Sequence, residues 1–175
     1  MRRTLTAVGL VSTAVALGAL LAGPAAAATT STTTTFDITF PGSKPQSEYY
    51  VDNSLALKNG GLATRSMTYW QILDDQVIDN SKRFTSFKIT SRVEERLTKT
   101  SEDHVVTSKT CDLTQLVNDN YSWFQDEPAN NCVAPSPVYD GEVFWSTDAT
   151  IVYDIEGDGH GAFTKELTGS PLVHG

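Results

Sequence analysis

Phe87, Ile89, Ser91, Val93, Glu95 and Leu97 fall on one side of a two-residue alternation, with Lys88, Thr90, Arg92, Glu94, Arg96 and Thr98 on the other. A period of two held this long predicts one extended strand with an apolar and a polar face. The segment SEDH at 101–104 breaks the pattern and VVTSKTCDL at 105–113 restores it, which predicts a long β-hairpin. A three-residue loop at 101–103 sets Glu95 opposite Lys109, Arg92 opposite Asp112 and Val93 opposite Cys111. That register is preferred because it pairs opposite charges, whereas a two-residue loop sets Arg96 against Lys109.

The last quarter alternates in the same way. Val143, Trp145, Thr147, Ala149, Ile151, Tyr153 and Ile155 share one face. EGDGHG then marks a turn, and AFTKELTG reads as a closing strand with Phe163 and Leu167 inward. Phe36, Ile38 and Phe40 begin the ordered chain, and further strands are expected in 47–58 and 66–73. Apart from a short helix at 113–117, helical periodicity is absent. The pattern predicts an all-β fold, an antiparallel sandwich or barrel-like domain of about seven strands with long hairpins.

The ends divide the chain differently. Residues 1–28 carry Arg2 and Arg3, an apolar stretch, and the small-residue run Ala25-Ala26-Ala27, the features of a secretory signal peptide of bacterial type. Residues 29–35 form a Thr-rich leader expected to be flexible, and 36–175 a single all-β domain. Export places Cys111 and Cys132 in an oxidising compartment, where an even count reads as one disulfide. Cleavage also frees the mature chain from the membrane.

The formal charge is −8, and loss of Arg2 and Arg3 lowers it by two more. An acidic chain lacks the basic face that nucleic acid requires. Three groups of residues carry candidate chemistry. Trp123 and Phe124 lie in an irregular segment rich in amides and acids, the composition of a surface that binds an extracellular carbohydrate or protein partner. Glu95 with Lys109 offers a carboxylate and an ammonium for a small extracellular hydrolase or lyase acting on a polymer. Asp154, Glu156 and Asp158 alternate up to a glycine-rich turn and offer oxygen ligands to calcium, the one cofactor the sequence suggests. Lys165 at the twelfth position excludes a true EF-hand loop. The reading adopted is a secreted binding protein. The enzyme is one alternative. A protease or enzyme inhibitor presenting the loop between Cys111 and Cys132 is the other.

Overall fold

The computed structural model describes residues 28–58, 60–74 and 77–174. Eight strands and one short helix follow in chain order: β1 (Ala28–Ile38), β2 (Ser47–Lys58), β3 (Gly61–Ile72), β4 (Phe84–Arg96), β5 (His104–Asp112), α1 (Thr114–Asp119), β6 (Asn131–Cys132), β7 (Phe144–Ile155) and β8 (Phe163–Glu166). They form two antiparallel sheets of four strands, ordered β1-β2-β3-β6 and β5-β4-β7-β8. The fold is therefore all-β, and the two sheets bury their inner faces against each other as a sandwich.

Alternation decides what lies between the sheets. From β2, Tyr49, Val51, Asn53, Leu55 and Leu57 turn inward, and from β3, Thr64, Ser66, Thr68 and Trp70. The second sheet answers with Phe87, Ile89, Ser91 and Val93 from β4 and Trp145, Thr147, Ala149 and Ile151 from β7. One cluster centres on Tyr49, Trp70, Phe84 and Phe87; a smaller one centres on Leu55, Val93 and Trp145. Between them Ser66 and Ser91 share a buried hydrogen bond of 2.9 Å. Two inward hydroxyls facing each other satisfy a polar contact that either alone would leave orphaned. Trp145 is further fixed by Nε1 donating to the Asp140 carbonyl.

Several expectations are corrected. Residues 29–35 are not a flexible leader: they are most of β1, paired with β2 from Ala28↔Leu57 to Ile38↔Ser47. Threonine is β-branched and fits a pleated surface, and the chain's last residues hold the strand in place. Thr30 Oγ1 donates to the Pro171 carbonyl and the Thr168 amide donates to Thr34 Oγ1, each at 3.0 Å. Residues 1–28, expected to be a signal peptide, lie outside the described residues apart from Ala28. The short helix falls at Thr114–Asp119 rather than 113–117. Phe163 is 38% exposed instead of inward, whereas Leu167 is buried as expected.

The hairpin register also differs. Lys88 faces Asp112, Ile89 faces Cys111 and Ser91 faces Lys109, while beyond a bulge at Val93/Glu94 it is His104 that faces Glu95. The loop is longer than three residues because Thr98 and Ser101 build their own turn, with Ser101 N donating to the Thr98 carbonyl and Thr98 N to Ser101 Oγ. Side-chain oxygens that satisfy turn amides stabilise a wide loop. Cys111 of β5 and Cys132 of β6 form the expected disulfide, which joins the two sheets.

Candidate functional site

Adjacent aromatic residues are split by strand parity. In SEYY, Tyr49 turns into the core and Tyr50 outward; in TYW, Trp70 turns inward and Tyr69 outward. The β2–β3 register places Tyr50 directly opposite Tyr69. Their rings stack nearly parallel, 6° apart with centroids at 4.9 Å.

The 123–124 dipeptide extends this row. Trp123 forms a two-way backbone bridge with Trp70, N to O at 2.8 and 3.1 Å, and its ring stacks on the buried Trp70 indole. Trp123 therefore closes the edge of the core. The next residue of the extended segment points the other way, so Phe124 emerges beside Tyr69, with ring centroids at 6.1 Å, and is 60% exposed. Of the two aromatics expected to bind, only Phe124 faces solvent. Tyr50, Tyr69 and Phe124 make a continuous aromatic row on the outer face of the first sheet.

Polar groups border the row. The Tyr50 hydroxyl donates to Glu48, and the Gln71 amide donates to Glu48 Oε2 at 3.0 Å and to the Tyr50 hydroxyl at 2.8 Å. The Tyr50 and Gln71 donors hold the Glu48 carboxyl below its usual range. On the other side of the row stands Asp52, whose Oδ1 is buried without a hydrogen-bond partner among the described residues. Burial raises the Asp52 pKa; Arg65 opposes the shift and Asp126 adds to it. Arg65 reaches past Asp52 to Asp126 at 2.6 Å. A groove of about 510 Å³ follows, in which Ser31, Asp52, Ser54, Ala56, Ala63 and Arg65 take part. Short side chains at Ala56 and Ala63, which face each other across β2 and β3, create the depression.

The outer face of the second sheet is chemically closed by comparison. Arg92 holds Glu94 at 3.0 Å, Asp148 at 3.4 Å and Glu166 at 3.5 Å, and Thr150 donates to Glu166 at 2.7 Å. Glu94, only 6% exposed, is the buried carboxylate of the hairpin. Burial raises its pKa above the ordinary 4.5 against the opposing Arg92 hydrogen bond. A carboxyl raised in the folded state binds its proton more readily than in the unfolded chain. The stability that goes with protonation is complete below the ordinary value and is lost as pH rises through the folded one. In urea unfolding at pH 7 and pH 5, wild type should gain on Glu94→Gln as the pH falls. A gap that stays constant or moves the other way refutes this assignment.

The remaining sequence candidates separate. Glu95 and Lys109 do not meet: Glu95 Oε1 lies 3.1 Å from His104 Nδ1, while Lys109 sits opposite Ser91. Glu95 keeps the parity of Val93 and stands opposite the inward Trp145 of β7, at the hairpin end of the core; the longer loop and a bulge whose extra residue, Val106, lies on β5 give it His104 instead of Lys109 as partner. Asp154, Glu156 and Asp158 are not gathered into a cage. Glu156 accepts from Thr85 Oγ1 and faces Lys82 at 3.6 Å, and Asp158 accepts the His160 amide. Gly157, Gly159 and Gly161 all take positive φ, which the turn requires and other residues adopt at a cost. Among the described residues no group of three or more His, Cys, Asp or Glu side chains is placed to hold a metal ion.

Comparison with protein-family models, with curated proteins and with solved structures finds no match to this chain. The functional argument therefore rests on the two outer faces themselves. The signal for the aromatic row was present in the sequence as two tyrosines at outward parity. Their adjacency required the β2–β3 register, and Asp52 carried no local signal.

Proposed function

We propose that this chain is an exported carbohydrate-binding protein whose ligand lies on the outer face of β1, β2 and β3. The observation that carries the reading is the open row Tyr50–Tyr69–Phe124. Aromatic side chains offer a large flat apolar surface with a polar tip, suited to the apolar C–H face of a sugar ring. The carboxylate and amide of Glu48 and Gln71, at the rim, suit its hydroxyls. Binding sites commonly combine an apolar floor with a few fixed polar groups in this way.

A protein partner is less well supported. A standard protein interface covers about 800 Å² on each side and centres on deep anchor pockets, whereas this row is a shallow strip. The inhibitor reading needs a protruding loop between Cys111 and Cys132. That segment is instead folded down, with Trp123 on Trp70 and Arg83 donating to the Val117 and Asn120 carbonyls. Export is supported by the leader composition and by the disulfide. Among the described residues no helix is long and apolar enough to cross a membrane.

Affinity electrophoresis in gels containing soluble neutral polysaccharides tests the reading. At least one polymer should retard the protein. Tyr69→Ala and Phe124→Ala should each weaken that binding about tenfold with little change in unfolding midpoint, since both rings face outward. Absence of retardation by every polymer, or unaltered binding in both variants, refutes it.

A further inference from the structure

The aromatic row ends where the groove begins, and both belong to one strand face. Tyr50, Asp52, Ser54 and Ala56 all turn outward along β2, and the four residue steps from Tyr50 to Ser54 span about 13 Å at the usual strand rise. The groove volume of about 510 Å³ lies within the range of small-molecule sites. At the junction sits the Asp52 carboxyl, which lines the groove. Its Oδ1 is buried and receives no hydrogen bond from the described residues. The neighbouring cation is turned elsewhere: Arg65 directs Nη1 to Asp126 and Nε to Ser54 Oγ, so the Asp52 carboxyl keeps an acceptor for a ligand in the groove.

We infer that the groove beside Asp52 is a second sugar subsite, and that the ligand is a neutral, hydroxyl-rich chain of several units lying along β2 from Tyr50 to Ser54. This rests on the carbohydrate reading and deepens it. The hydroxyls of Ser31 and Ser54 line the groove, and a ligand hydroxyl donates to the Asp52 carboxyl. The neutral character follows from the charges on the face: Glu48, Asp52 and Asp126 stand along it, and the positive charge of Arg65 is already engaged by Asp126. A chain of carboxylated or sulfated sugars meets repulsion there.

Isothermal titration with two-unit and six-unit oligomers of neutral β-linked glucan, mannan and xylan tests the inference, with the galacturonate hexamer as the anionic counterpart. Wild type should bind one neutral hexamer at least tenfold more tightly than its dimer. Asp52→Ala, which removes the acceptor, and Ser54→Trp, which fills the groove, should each reduce the hexamer to the affinity of the dimer. Dimer binding should stay unchanged in both variants, which also shows that they are folded. Equal affinity of dimer and hexamer in wild type, or a hexamer advantage that survives both substitutions, overturns the second subsite. If Tyr69→Ala still weakens binding about tenfold in that case, the aromatic site stands alone. Galacturonate bound as tightly as the neutral hexamer overturns the neutral ligand. No binding by any oligomer overturns the subsite together with the carbohydrate reading.

Discussion

Replacing Arg83 with alanine should cost about 4 kcal/mol of stability, which lowers the unfolding midpoint by on the order of 10 °C. Arg83 is 1% exposed, and no carboxylate among the described residues pairs with it. Its guanidinium donates to Ser47 Oγ at 3.2 Å, to the Asn120 carbonyl at 2.6 Å and to the Val117 carbonyl, and lies over the Tyr121 ring. These bonds tie the carboxyl end of α1 to the start of β2. Carbonyls at a helix end lack intrahelical partners, and a buried cation that supplies donors to them also suits the negative end of the helix dipole. Burial lowers the Arg83 pKa.

Alanine therefore leaves a cavity and strips the Val117 carbonyl of this donor. The Asn120 carbonyl keeps the Trp70 indole N–H at 2.8 Å, so its loss is smaller. Arg83→Met separates the two contributions: it retains most of the packing and removes the buried charge, and should cost about half as much. Urea unfolding of both variants measures this. Wild-type stability in Arg83→Met would show that the guanidinium contributes no net stabilisation.

The second large effect belongs to the disulfide. Cys111 and Cys132 are 21 positions apart, and closing a loop of that size in the unfolded chain stabilises the fold by roughly 3 kcal/mol in the chain-entropy account. The double variant Cys111→Ala/Cys132→Ala should lose that amount in calorimetry. The loss should be local in its first consequences. Strand β6 has two residues, bonded opposite Ser66 and Met67, and besides the bridge it is held by Asn131 Nδ2 donating to Asp126 and to the Glu127 carbonyl and by Asn130 Nδ2 donating to the Thr68 carbonyl. Hydrogen exchange in the variant should accelerate at Asn131 and Cys132→Ala while Trp70 stays protected, because Trp70 is held separately by Trp123 and Asn120. Uniform acceleration through both sheets would contradict a local role.

How much of this was legible follows from the range of each interaction. Alternation is local, so the inward faces of 87–93 and 143–155 and the opposed tyrosines of SEYY and TYW were readable from neighbouring residues. Sheet order is not local. Nothing near Tyr50 shows that Tyr69 will stand beside it with Phe124 next in line, and nothing near Asp52 shows that Arg65 will turn to Asp126. The Thr-rich stretch was misread because its apolar content is low. What orders it is backbone pairing to β2 and two threonine hydroxyls that meet the far end of the chain. The face of Glu95 was legible from alternation, and it stands opposite Trp145; its partner was not, because the loop is longer than expected and the extra residue of the bulge lies on β5. Arg83 was overlooked because its partners are mostly main-chain oxygens, which no side-chain pattern reveals.

The stitching of β1 to the closing segment has a topological consequence. Thr34 meets Thr168 and Thr30 meets Pro171, so the final residues run back toward residue 28, and Asn53 Nδ2 clasps the Thr168 carbonyl on the way. Residues 28–173 nearly close a ring. A brief linker from 173 to 28, with new ends opened in the 157–161 turn, gives a circular permutant that retains every strand pairing of both sheets.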